Sequence, residues 1–151
     1  MEKTILYLED DANMRIHTTD LLKEKGYNIE GFSRIDLIKE YFLEHMHSVE
    51  CIITDLNMND EWLNEYQIET DGGMLSGWVW LQRFVYDSKP EMPTIIYSGY
   101  ISYLEEFLKL NDNLHLLEKK HIRCVEKGVN EIDGFEGLLL TLQELLNKGV
   151  V

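Results

Sequence analysis

Four apolar runs in this sequence end in side chains that do chemistry. The run TILYL (4 to 8) ends in Glu9, Asp10 and Asp11, CIIT (51 to 54) in Asp55, PTIIY (93 to 97) in Ser98, and HIRCV (121 to 125) in Glu126 and Lys127. A charge placed directly after a buried run is expensive unless something meets it. If the runs are neighbouring strands, these groups converge on one edge, where the carboxylates repel one another unless a cation joins them. An all-oxygen cluster with few protein ligands suits hydrated Mg2+, or Mn2+ in its place. Asp55 is then metal-bound. Taken singly, each group has a plainer role: Asp10 or Asp11 as a helix cap, Ser98 with Gly99 as a turn, Lys127 with Gly128 as a solvated loop. It is the order, with each group at the end of its own run, that points to a site.

The elements that must position them alternate. After TILYL, Met14, Thr18, Leu21, Leu22 and Lys25 recur at helical spacing until Gly26 stops the pattern. YNIEGF (27 to 32) reads as a second strand, and Ser33 with Asp36 as a capping box opening a helix with the stripe Ile38, Tyr41 and Phe42. ECIITDL is a third strand and GWVWLQRFVY (77 to 86) a helix. PTIIYSG (93 to 99) is a fourth strand, followed by a helix over ISYLEEFLKL (101 to 110). HIRCVEKG (121 to 128) is the fifth strand, and Phe135, Leu138, Leu139, Leu142, Leu145 and Leu146 mark a final helix. Five strand–helix units in succession predict an α/β fold, a parallel sheet with helices on both faces. Ligands of such sheets sit outside the carboxyl ends of the strands, where all four runs deliver their groups.

The bounds agree. A chain of 151 residues fits one domain with one core and needs no disulfide or structural metal. No apolar run approaches the roughly 18 residues of a membrane span, and the acid-terminated start is unlike a signal peptide, so a cytoplasmic location is expected. Cys51 and Cys124 form no CxxC and read as buried thiols of a reducing compartment. With 28 acidic against 14 basic residues the net charge is −14, which repels phosphate backbones and argues against direct nucleic-acid binding. Walker A, GxGxxG and HExxH motifs are absent from the sequence, and His45 and His47 are spaced too closely to face one way on a helix.

An acidic pair after strand one, a lone Asp after strand three, a Ser after strand four and a Lys after strand five resemble the response regulator receiver domain of two-component signalling. The resemblance spans nearly the whole chain and implies the flavodoxin-like (βα)5 arrangement. It makes Asp55 the phosphoacceptor, Asp10 a direct Mg2+ ligand, Glu9 a ligand through metal-bound water, and Asn57 a ligand through its backbone carbonyl. Ser98 would hydrogen-bond the phosphoryl group, and Lys127 would pair with an aspartate before transfer and with the phosphate after it. Met14-Arg15 and Gly77 also stand where receivers often have such residues. The chemistry suits the residue types: an Asp carboxylate attacks phosphorus in line to give an acyl phosphate, while Mg2+ and a lysine offset the charge on the equatorial oxygens.

The sequence departs from the family pattern at several places. Gly128 follows the lysine where receivers usually have Pro, and Cys124 stands where an aromatic switch residue is common, with Tyr100 as a candidate substitute. Residues 59 to 75, after the third strand, form an insertion with Asp60, Glu61, Glu65, Glu69 and Asp71 but no Lys or Arg, the aromatic pair Trp62 and Tyr66, and a Gly72-Gly73 hinge. It reads as a lid or partner-docking element, or equally as a solvated excursion. A smaller extension lies around NDNLHLLEKKH.

The expected function is that of a stand-alone, single-domain receiver over residues 1 to 151, a phosphoprotein rather than an enzyme. Its donor would be a histidine kinase, a phosphotransfer protein of a phosphorelay, or a small acyl phosphate. It would signal to a separate protein, with a homodimer allowed. One alternative is a receiver-like interaction module that is not phosphorylated. Another is an Asp-nucleophile phosphatase, which would want a second Asp where Asn57 stands.

Overall fold

Strand β1 covers Thr4–Leu8 and is buried at all five positions, which is why the run reads as apolar on both sides. A computed structural model of the chain describes residues 2–58, 69–128 and 131–146. Helix α1 (Ala12–Glu24) is opened by Asp11, whose carboxylate accepts from the Met14 N–H at 3.0 Å. It closes on Gly26, where a φ of 93° suits a residue without Cβ. The remaining strands are β2 (Ile29–Phe32), β3 (Val49–Thr54), β4 (Thr94–Ser98) and β5 (Ile122–Glu126). Between them lie α2 (Ile35–His45), α3 and α4 (Ile101–Leu110), and α5 (Glu131–Leu146) follows β5. Helix α3 begins as Ser76–Trp80, widens into a π turn over Leu81–Val85 and ends as Tyr86–Ser88.

All strand pairs are parallel, in the order β2-β1-β3-β4-β5. The alternation of side chains along the strands sorts the core into two layers. Leu6, Leu8, Ile52 and Ile96 pack against Ile38 and Phe42 of α2, Trp80 and Leu81 of α3, and Leu104 and Leu108 of α4. On the other face Ile5, Tyr7, Ile53, Ile95 and Tyr97 meet Leu22 of α1 and Leu138 and Leu142 of α5. The sheet is thus covered on both faces, as the five strand–helix units predict.

Two local expectations are corrected. Ser33 does not cap α2: Arg34 is the N-cap, without a side-chain capping bond, and its guanidinium donates instead to Asp36. That ion pair takes the carboxylate a capping box would have used. Cys51 is buried as expected, but Cys124 is exposed, because β5 is the edge strand and turns Arg123, Cys124 and Glu126 outward.

Candidate functional site

Register brings the chemistry together. In the β1–β3 pair Leu8 lies opposite Thr54, so Glu9 and Asp55 leave the sheet side by side. In the β4–β5 pair Ser98 lies opposite Glu126, so Lys127 emerges beside Ser98. Strand order reverses between β1 and β3, and the two acids flank that switch point, where open parallel sheets hold their ligands.

The carboxylates of Glu9, Asp10 and Asp55 offer oxygens that all lie within 4.8 Å of one another. Glu9 is buried at 1% exposure and Asp55 at 7%, while Asp10 is exposed. The Lys127 ammonium donates to Asp55 Oδ2 at 2.7 Å and also to Glu9 Oε1. Asp55 Oδ1 accepts from the Leu56 N–H at 2.7 Å, so the carboxylate is held at both oxygens. Glu9 is fixed from behind: its Oε2 accepts from the Asp11 N–H, and its backbone carbonyl accepts from the Arg15 guanidinium at 2.7 Å.

The electrostatics follow from burial. Burial first, and the Asp55 charge second, push Glu9 up to about 7, although Lys127 pulls the other way. Burial alone would lower Lys127, but Asp55 and Glu9 outweigh it and hold the ammonium above its ordinary value. Lys127 therefore stays charged while Glu9 titrates near neutrality. Three all-oxygen donors in a small cluster, one of them solvent-facing, fit a hard divalent cation that keeps several waters.

The other expected site residues take less direct places. Ser98 is fully buried, and its hydroxyl accepts from the Tyr100 N–H at 3.1 Å, closing the turn into α4. The Ser98 carbonyl accepts from the Lys127 N–H at 3.1 Å, which ties the lysine to the serine strand. Asn57 is half-buried two residues beyond Asp55. Asp11, not Asp10, caps α1, which leaves Asp10 free of that duty. Of the insertion, Asp60, Glu61, Glu65 and the pair Trp62 and Tyr66 lie outside the described residues. Its end is anchored: Met58 N–H donates to the Gly73 carbonyl at 3.1 Å, Ser76 Oγ to the Met58 carbonyl at 2.9 Å, and Tyr103 Oη on α4 to Asp71. Gly72 and Gly73 both have positive φ, in a turn and not in extended chain.

Several contacts that shape the site escape a reading of the sequence, which marks Gly77 only through the resemblance and gives no sign of what it touches. A Cβ on Gly77 would lie 1.7 Å from the Asp55 carbonyl oxygen, so α3 passes directly against the backbone of the central acid. Trp80, also on α3, donates its indole N–H to Thr54 Oγ1 at 3.3 Å, and that hydroxyl donates to the Asp55 carbonyl at 2.9 Å. Tyr7 and Tyr97 are buried beneath the acids, and the Lys127 ammonium lies 5.6 Å from the centre of the Tyr97 ring. Their only signal in the sequence is a hydroxyl-bearing aromatic inside a strand buried on both faces.

A cleft of about 720 Å³ at the opposite edge, near the starts of β4 and β5, is lined by Glu91, Lys119, His121, Arg123 and Glu144 among others. Arg123 already pairs with Glu144 at 3.0 Å, and acids balance bases along its walls. The titrating cluster lies at the carboxyl ends, not here.

No family model matches the sequence, and no curated protein matches it either. Solved structures do: 107 chains match. A response regulator receiver domain protein from Clostridium thermocellum is 19% identical with a TM-score of 0.67, over 97% of this chain and 96% of that one. A CheY-like receiver domain protein from Methanospirillum hungatei is 20% identical with a TM-score of 0.58, over 99% of this chain and all of that one (100%). The non-phosphorylated HemR receiver domain from Leptospira biflexa is 14% identical with a TM-score of 0.65, over 95% and 94%. Sheet order, the two helical layers and these likenesses agree: the chain has the fold of the response regulator receiver domains.

Proposed function

We propose that this protein accepts a phosphoryl group on Asp55, with a divalent cation, Mg2+ or Mn2+, held by Glu9, Asp10, Asp55 and the Asn57 carbonyl, and that it signals to a partner protein. The observation that carries this reading is the Lys127 ammonium donating to Glu9 and Asp55 at once, at the edge of three convergent carboxylates. A lysine so placed orients the Asp55 carboxylate as a nucleophile and is on hand for the charge of the arriving group. A carboxylate oxygen of Asp55 bonds to phosphorus as the bond from phosphorus to the donor breaks. Acetate departs from acetyl phosphate, or a neutral imidazole from a phosphohistidine of a histidine kinase or phosphotransfer protein. A bound cation would supply charge neutralisation for the equatorial oxygens.

Ser98 offers the readout. Its hydroxyl now accepts from the Tyr100 N–H, and drawing it toward a phosphoryl group would pull on that contact. Tyr100 is the N-cap of α4, so that rearrangement would act on the start of this helix and on the Tyr103–Asp71 contact one turn further on. Among the described residues no helix is long and apolar enough to cross a membrane.

Intact-protein mass after incubation with acetyl phosphate and Mg2+ tests this reading. One added phosphoryl group is expected, absent from Asp55→Asn and from a metal-free control. No added mass would favour a receiver-like binding module, and release of phosphate in many turnovers would favour a phosphatase. A second expectation comes from Glu9. Proton and metal compete for this carboxylate, which in the metal-free protein is pushed up to about 7. Mg2+ affinity is therefore expected to fall roughly tenfold between pH 8 and pH 6, read by tryptophan fluorescence titration. An affinity constant across that range would show that Glu9 does not face the metal.

A further inference from the structure

Lys127 must be held without the usual help. Gly128 puts no ring on the backbone after it, yet the ammonium reaches two carboxylates that follow two different strands. Three contacts in this chain account for its aim. The Lys127 N–H is anchored on the Ser98 carbonyl at 3.1 Å. Gly134 of α5 is pressed against the same stretch: a Cβ there would lie 2.7 Å from Gly128 N, 3.1 Å from Lys127 Cα and 2.8 Å from Tyr97 Oη. Beneath the ammonium lies the ring of Tyr97, 1% exposed, with its centre 5.6 Å from Nζ.

That distance falls within the reach of a cation–π contact, which gains strength when water is excluded. Tyr97 sits on β4 immediately before Ser98, in the layer between β4 and α5. An aliphatic residue would fill such a place equally well for packing alone, but it would give the ammonium no negative face to rest on. The tyrosine hydroxyl meanwhile takes up the space that Gly134 leaves open. Ring and glycine form one fitted unit at the back of the lysine.

We propose that Tyr97 is a positioning residue, whose ring, seated against Gly134, holds the Lys127 ammonium between Glu9 and Asp55. This rests on the phosphoacceptor reading for its kinetic consequence but not for its geometry. Tyr97 touches no reacting atom; it acts through Lys127, setting the fraction of time for which the ammonium is in place to receive the phosphoryl charge.

Two readouts test it. In the wild-type protein the terminal methylene protons of Lys127, assigned by their loss in Lys127→Met, are expected upfield of ordinary lysine positions because they lie over the ring. Tyr97→Phe keeps that shift and Tyr97→Leu abolishes it. Phosphorylation by acetyl phosphate and Mg2+ is expected to slow about tenfold in Tyr97→Leu and to recover most of its rate in Tyr97→Phe. In a Lys127→Met background, Tyr97→Leu should add no further loss. Ordinary lysine resonances in the wild type would overturn the proposal, and that measurement needs no variant at position 97 to fold. An equal slowing by Tyr97→Leu with and without Lys127 would overturn it too, by revealing a purely structural role. If the wild type takes up no phosphoryl group, the phosphoacceptor reading fails, and the Lys127 resonances alone decide the role of Tyr97.

Discussion

Gly77→Ala is expected to destabilise the protein by about 3 kcal/mol and to lower its Tm by about 10 °C, in a helix where alanine should help. Helix propensity alone predicts a gain of up to about 1 kcal/mol on replacing a helical glycine. The opposite sign follows from one contact: the new Cβ would stand 1.7 Å from the Asp55 carbonyl oxygen and 3.1 Å from Leu56 Cα. Neither is the end of a flexible side chain, so backbone must move. The Gly77 N–H also donates to the Leu56 carbonyl at 3.0 Å, which binds the helix start to the residue after the central acid. Relief of the clash therefore displaces Asp55 itself, and the damage should reach function: Mg2+ affinity and phosphorylation should both fall in whatever fraction remains folded. Thermal unfolding and a metal titration check this. A Gly77→Ala protein as stable as wild type would mean that α3 does not pass against Asp55.

Lys127→Met should give a loss of stability that depends on pH and on metal. Removing the ammonium leaves Glu9 and Asp55 buried together with no cation, and breaking a buried pair in this way costs about 3 kcal/mol. With Lys127 present, Glu9 is already pushed up to about 7; without it, the opposing pull of the ammonium is gone. The folded variant then binds a proton that the unfolded chain releases above its ordinary carboxylate value, so stability rises as pH falls from above 7 toward the ordinary Glu range. The deficit against wild type should be largest near pH 8 and shrink toward pH 5. Saturating Mg2+ should also restore stability, because one cation replaces another, and should raise the Tm of the variant more than that of the wild type. Denaturant unfolding at several pH values, with and without Mg2+, separates these effects. A deficit independent of pH and metal would mean that Lys127 contributes only packing.

The layout of the fold is readable from the chain because its central strands are buried on both faces. TILYL, CIIT and TIIY are unbroken apolar runs for that reason, and their ends deliver Glu9, Asp55 and Ser98 without any need for tertiary information. Edge position blurs the rest: β5 alternates between buried Ile122 and exposed Arg123, Cys124 and Glu126, and the expectation of a buried Cys124 fails there. Local competition misleads at Ser33, where the Arg34–Asp36 pair replaces the capping box. The π turn of α3 leaves no trace in GWVWLQRFVY, since Gln82 and Arg83 alone interrupt its apolar residues and two adjacent polar positions set no phase in which an extra residue would show. The candidate site divides in the same way. Groups that terminate strands can be found by position, whereas the close approach of Gly77, the seat of Gly134 and the ring under Lys127 depend on which elements end up in contact. A glycine in a helix has many explanations in one dimension and only one once its neighbour is known.

The most direct test of the phosphoacceptor reading is to locate the modified residue. The protein is incubated with acetyl phosphate and Mg2+, reduced with borohydride, which converts an aspartyl phosphate to homoserine, and mapped by peptide mass spectrometry. The account predicts homoserine at position 55, dependent on the metal and on the phosphodonor. Homoserine at another aspartate, or none in a protein that has gained phosphoryl mass, would contradict it.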